Sequence, residues 1–148
     1  ETVDVARKKG EAVASLFPND VVLSTDTIVC LDGKIYGKPK DRKDAYNTLA
    51  TFSGMTHEVV SGVSIISKKL NMTMYVKSYV TFKKLTKEMI DDYLKTDEPY
   101  DKAGSYAIQG EGRSLIEGYS GSLDNIIGLP IEYIKGMLRV MLNEVENR

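Results

Sequence analysis

Between residues 24 and 39 the chain reads Ser24-Thr25-Asp26-Thr27-Ile28-Val29-Cys30-Leu31-Asp32-Gly33-Lys34-Ile35-Tyr36-Gly37-Lys38-Pro39. This stretch follows Val21-Val22-Leu23, an apolar run that reads as a buried strand over residues 20–25. Residues 27–31 and 34–36 read as a β-hairpin, because Asp32-Gly33 between apolar residues supplies the positive φ angles of a two-residue turn. Asp32 is thereby a turn former. Apolar packing does not call for the polar groups that remain, Asp26 between two threonines and Lys38 twelve residues later. A carboxylate at or near a strand end can activate a water or hold a divalent cation. An Asp there can equally cap a turn. Lys38 lies beside Gly37 in loop-like sequence, where a lysine either holds a phosphate or is merely solvated.

Upstream, residues 2–17 read as a helix with Val5, Ala6, Lys9, Ala12, Val13, Leu16 and Phe17 as its apolar stripe, ended by Pro18-Asn19-Asp20. Lys9 falls on the packed side, where the plain structural reading is a lysine that buries its stem and keeps its ammonium in water. Downstream, Asp41 caps a helix through Phe52, with Ala45, Leu49 and Phe52 inward and Gly54 past its end. Residues 57–67 and 72–82 read as two antiparallel strands with Leu70-Asn71 as their turn. Thr86 caps a helix with Met89, Ile90, Tyr93 and Leu94 buried. Residues 97–130 are rich in glycine yet interrupted by apolar residues, which suits backbone that approaches a ligand or turns sharply. There Lys102 is a second candidate phosphate ligand. Gln109 can pair in two directions with an amide-bearing ring such as a pyrimidine, or bond its own backbone. Pro130 opens a last helix whose apolar face is Ile131, Ile134, Leu138, Met141, Leu142 and Val145. The element order predicts one α/β domain over residues 1–148, built on a mixed sheet without regular βαβ alternation.

Composition narrows the class. The 148 residues are 42% hydrophobic and 28% charged, as in a soluble globular domain large enough for a core. Net charge is −1, so no basic excess points to a nucleic-acid polymer. No apolar run approaches the roughly 20 residues that span a bilayer. Cys30 is the single cysteine, which rules out an internal disulfide, fits a reducing compartment such as the cytoplasm, and reads as core between Val29 and Leu31. The single histidine, His57, makes a zinc centre unsupported, and no P-loop segment occurs. Ser53-Gly54-Met55 has no His and Asp at a suggestive spacing, which argues against a serine hydrolase.

Five segments carry a resemblance: Thr25-Asp26-Thr27-Ile28-Val29, Gly37-Lys38-Pro39-Lys40-Asp41, Ser53-Gly54-Met55-Thr56-His57-Glu58-Val59, the run from Asp101 to Gly110, and Asn125-Ile126-Ile127-Gly128-Leu129-Pro130. In this order they resemble the motif series of the Maf (septum formation inhibitor-like) nucleoside triphosphate pyrophosphatases, in register from about Val5 to the last helix. The resemblance implies an elongated mixed sheet flanked by helices, with a cleft between two lobes, similar to inosine triphosphate pyrophosphatases. It implies hydrolysis of a nucleoside triphosphate to the monophosphate and pyrophosphate with Mg2+ or Mn2+. Asp26 falls on the family's catalytic and metal-binding carboxylate. Lys9 and Lys38 fall on lysines that face the triphosphate, and Thr27 and Gln109 on specificity positions of the subgroup acting on dTTP and UTP, modified uridine nucleotides included. A homodimer is implied by the family alone. The family also opens with a strand and a Ser-x-Arg-Arg loop that supplies phosphate-binding arginines, and this sequence does not contain them. Two explanations compete: an incomplete chain, or a shortened homologue that keeps the fold but not full activity; the rival function is a non-catalytic nucleotide-binding or interaction protein linked to division arrest. Gly10, where the family often has Ala, is expected to cost about 1 kcal/mol of helix propensity.

Overall fold

In a computed structural model, residues 2–17, 19–68 and 70–146 are described, without the side chains of residues 2–3 and 144–146. Pro18, assigned to the end of the first helix, and the side chain of Val145, assigned to the last apolar face, lie outside the described part. The elements run α1 (Thr2–Leu16), β1 (Val22–Leu31), β2 (Lys34–Tyr36), α2 (Arg42–Phe52), β3 (Thr56–Ile66), β4 (Asn71–Phe82) and α3 (Lys87–Leu94). Three 3-10 turns follow at Glu98–Asp101, Ala103–Ser105 and Glu111–Leu115, then β5 (Ile116–Ser120), α4 (Leu123–Ile127) and α5 (Ile131–Glu146). No helix among the described residues is long and apolar enough to cross a membrane.

The sheet order is β2-β1-β3-β4-β5. The expected α/β architecture, helices flanking an elongated sheet, is what forms. The parallel member of a mixed sheet is not found among the described residues, where all four ladders are antiparallel. A second correction concerns β1. It is one continuous strand rather than a strand and a hairpin arm, because β3 pairs with it without a break from Val22↔Ile66 to Cys30↔Glu58. Asp26 consequently sits in mid-strand, opposite Gly62, and not at a strand end. The Asp32-Gly33 turn forms as expected, with φ of 51° and 79°. Between β3 and β4 the Ser67 amide donates to the Leu70 carbonyl at 2.9 Å, and Asn71 already belongs to β4.

Side chains alternate along a strand, and the two sheet faces are covered differently. On one face, Val29, Leu31, Val59, Val80 and Phe82 pack with Leu49 and Phe52 of α2 and Ile90 and Leu94 of α3. Farther along the same face, Val63 and Ile65 meet Ile134, Met137 and Met141 of α5. Leu142 and Ile131, expected inward, are exposed, and Met137 takes the buried place. Asp41 and Thr86 cap α2 and α3 by accepting from the backbone amides of Asp44 and Met89.

The opposite face of β1 and β3 is covered by α1. Here only Ala6 of the expected stripe is buried. Val5, Val13, Leu16 and Phe17 are exposed, and the small residues Ala6 and Gly10 are buried. Close approach is the reason. The Ser24 hydroxyl donates to the Ala6 carbonyl, and a Cβ on Gly10 would lie 2.8 Å from Ser24 Oγ and 3.0 Å from Ile66 Cδ1. Gly10 is therefore a contact point and not only a propensity loss. In α5, Gly136 has nothing within 4 Å of its added Cβ. Gly136→Ala is expected to stabilise the fold by about 1 kcal/mol, whereas Gly10→Ala gives no gain because the same propensity is offset by the contact with Ser24. Paired thermal melts of the two variants check this.

Candidate active site

A cavity of about 240 Å3 opens on the α2/α5 face of the sheet. Its sheet side is Thr27, Val29 and Val59, and its walls are residues 101–103 and 106–109 on one side and 126–128 on the other. The volume is below the range that encloses a drug-sized ligand, which suits one planar ring rather than a whole nucleotide.

Each wall is pinned by buried or half-buried polar groups. Asn125 of α4 is fully buried, and its Nδ2 donates to the carbonyls of Val59 and Val76 and to Ser78 Oγ, each at 3.1 Å. That anchors α4 on β3 and β4 and presents Ile126, Ile127 and Gly128 to the cavity. The facing wall is held at both ends. The Tyr93 hydroxyl accepts from the Ala107 amide at 3.1 Å, and Glu98 accepts from the amides of Glu111 and Gly112 at 3.2 and 2.9 Å. Gly110 is required between them: at φ 148° a Cβ would lie 1.8 Å from Glu98 Oε1. Burial and the Glu98 hydrogen bond push the Tyr93 hydroxyl up, so it stays protonated.

Beneath the same wall, Tyr106 meets His57 Nε2 at 2.7 Å. His57 is 1% exposed, stacks on Phe52 with centroids 4.3 Å apart, and meets Phe82 edge-on. Its Nδ1 has no hydrogen-bond partner. Desolvation lowers its pKa from 6.5 to about 4. The histidine is thus a neutral support for Tyr106, not a metal ligand.

Thr27, Lys102 and Gln109 share the cavity lining. Lys102 donates to Asp101 at 2.8 Å, and this bond, assisted by the charge of Lys38, holds the Asp101 carboxyl below the usual range. The loop that carries Lys38 is joined to the 3-10 segment after Lys102 by the Gly104 amide donating to the Gly37 carbonyl at 3.2 Å. Asp26 and Lys9 are not in the cavity. The period-2 alternation of β1 turns Asp26 to the α1 face, where Lys9 Nζ lies 3.0 Å from its Oδ1. Beyond the β2 ladder, which covers only Val29 to Leu31, β1 has one edge without a paired strand among the described residues. A ligand touching both Asp26 and Thr27 must cross that edge.

Among the described residues no three His, Cys, Asp or Glu side chains gather as a metal centre. Asp26 Oδ2 has no partner there, and one carboxylate oxygen suits a hard cation that completes its shell with phosphate oxygens and water. Sequence reasoning missed Ser61, Glu98, Tyr93 and Asp101 as site-building residues. Glu98 and Asp101 lay in the glycine-rich stretch it singled out; Ser61 needed the strand register.

Fold and site together define an α/β protein with a ring-sized cavity that has Lys102 in its lining. The family model described as Maf-like protein matches residues 1–141. A dTTP/UTP pyrophosphatase of Bacillus cytotoxicus is 46% identical over 127 residues, covering 86% of this chain and 66% of that protein. The dTTP/UTP pyrophosphatases of Bacillus mycoides (46% identical, 87% and 68% covered) and Clostridioides difficile (44% identical, 91% and 71% covered) are similar to it as well. The chain belongs to the Maf family. It spans about two thirds of the length of these relatives.

The buried histidine sets a pH dependence. Between about 4 and 6.5 the unfolded chain binds a proton that the folded chain refuses, so stability is full above pH 6.5 and falls toward pH 4. The loss from this group is expected to be on the order of 3 kcal/mol. Urea titrations at about pH 7.5 and about pH 4.5 check it, and His57→Gln, though less stable at the higher pH, should lose less between the two.

Proposed function

We propose that this chain is a nucleoside triphosphate pyrophosphatase that hydrolyses dTTP and UTP, modified uridine nucleotides included, to the monophosphate and pyrophosphate, in a house-cleaning role. The observation that carries the reading is the division of labour across β1. Thr27 and Gln109 line a ring-sized cavity on one face, and one residue away Asp26 stands with Lys9 on the other. A base seated in the cavity sends its phosphates past Lys102 and Lys38 and over the strand edge to Asp26. The names of the relatives, dTTP/UTP pyrophosphatase, support the same substrates.

In this reading the oxygen of a water forms a bond to the α-phosphorus. The bond from that phosphorus to the α–β bridging oxygen breaks, and pyrophosphate leaves with the bonding electrons. Asp26 takes the proton of the water. Lys9, already 3.0 Å from the Asp26 carboxylate, orients it and offers its remaining donors to the phosphates. Lys38 and Lys102 neutralise the rest of the polyanion. A divalent cation such as Mg2+ or Mn2+, held by Asp26 with phosphate oxygens, would supply further charge neutralisation when bound.

Phosphate release, coupled to inorganic pyrophosphatase and read across a nucleotide panel with Mg2+ or Mn2+, tests the proposal. The expected result is preference for dTTP and UTP, and a loss of about 100-fold or more in kcat for Asp26→Asn. If Asp26→Asn turns over dTTP as fast as the parent, Asp26 is not the base. Tight dTTP binding by the parent without turnover would favour a non-catalytic nucleotide-binding protein.

A further inference from the structure

Thr27 and Gln109 line the same cavity from supports of different kinds. Thr27 belongs to a paired strand, and its hydroxyl lies 2.7 Å from that of its cross-strand partner Ser61. Gln109 lies between the 3-10 turns Ala103–Ser105 and Glu111–Leu115, outside any strand or helix. Backbone of that kind keeps one place only where its polar groups are tied down.

The ties converge on one side chain that does not itself line the cavity. The Glu98 carboxylate accepts from the amides of Glu111 and Gly112 at 3.2 and 2.9 Å. The Tyr93 hydroxyl donates to the same carboxylate and accepts from the Ala107 amide at 3.1 Å. Two residues before Gln109 and two residues after it, the chain is thus bound to Glu98, through Tyr93 on one side and directly on the other. The backbone between these ties is pressed against them. A Cβ on Gly110 would lie 1.8 Å from Glu98 Oε1, and one on Gly112 would lie 2.3 Å from the Ala107 carbonyl oxygen. A carboxylate suits the place because both of its oxygens accept and every partner it meets donates. Glu98 is in turn held beside Pro99, which is fully buried.

The neighbours of Gln109 on this wall have supports of their own. Tyr106 meets His57 at 2.7 Å, and Ile108 is packed in the apolar core. Gln109 is exposed and has neither kind of hold. Loss of the Glu98 carboxylate therefore falls first on Gln109. We propose that Glu98 is a positioning residue for base recognition: its carboxylate holds the backbone on both sides of Gln109 and so keeps that amide in place at the cavity. A ring then meets a donor and acceptor already ordered, and binding does not have to supply the ordering of the segment. This rests on the reading of the cavity as the base site, but not on the hydrolysis proposed for Asp26.

The test uses the whole chain and a double-mutant cycle of Glu98→Ala with Gln109→Ala. The readouts are calorimetric affinities for UMP and for inorganic tripolyphosphate, which has no base. Each single variant is expected to weaken UMP by about tenfold, and the double variant by about tenfold rather than about a hundredfold, because both remove the same contact. Tripolyphosphate affinity should stay within about threefold of the parent. Glu98→Gln, which keeps one accepting oxygen, should recover part of the UMP affinity, and it carries the same cycle if Glu98→Ala does not fold. If the two losses multiply, or if Glu98→Ala leaves UMP affinity unchanged or weakens UMP and tripolyphosphate by the same factor, the inference fails and the base site stands. If the parent does not bind UMP, or Gln109→Ala binds it as well as the parent, the base-site reading fails and takes the inference with it. A parent that binds UMP and shows the non-additive cycle but hydrolyses no nucleotide sinks the proposed hydrolysis and leaves the inference standing.

Discussion

The unbroken antiparallel ladder between β1 and β3 is the constraint on which the rest depends. It holds β1 straight through a polar stretch, Ser24 to Thr27, that would otherwise bend or turn. Once the strand is straight, alternation is compulsory, and neighbouring residues serve opposite faces. Asp26 goes to the α1 face with Lys9, and Thr27 goes to the cavity with Ser61. One residue of register slip would exchange them. The proposed division between phosphate chemistry and base recognition follows from that single geometric fact.

Rigidity around the cavity comes from buried polar groups rather than from apolar packing alone. Asn125 spends its amide on two strand carbonyls and a serine, Glu98 gathers two loop amides, and His57 supports Tyr106 from within an aromatic cluster. Each of these groups would be costly to leave unpaired away from water, so each fixes the backbone it touches. The wall of residues 101–112 contains no long regular element, and these bonds give it a defined shape. The α1 face is built on a different principle. Small residues bring the helix close to the sheet, and that closeness lets Lys9 reach Asp26.

Much of this was legible in the chain. The capped helices at Arg42–Phe52 and Lys87–Leu94, the Asp32-Gly33 turn and the two long central strands follow from local turn chemistry, capping and periodicity. The apolar stripe of α1 misled, because periodicity finds large apolar residues, whereas the contact with the sheet selected Ala6 and Gly10. Asp26 read as a strand-end residue because the polar run after Leu23 looks like a boundary; pairing with a distant strand overrode it. Leu142 and Met137 exchanged roles in α5 for a similar reason, since only the surface that α5 meets decides which side of a broadly apolar helix is buried.

By itself the sequence determined the elements, their caps and the order of the segments that resemble the Maf family, because these depend on neighbours a few residues apart. The tertiary structure alone decided that Asp26 and Thr27 stand on opposite faces. It also decided that Lys9 reaches Asp26 and that Ser61 stands behind Thr27. The last two relations join residues 17 and 34 positions apart. Such contacts are set by strand register and helix approach, which are properties of the packed chain and not of any local stretch.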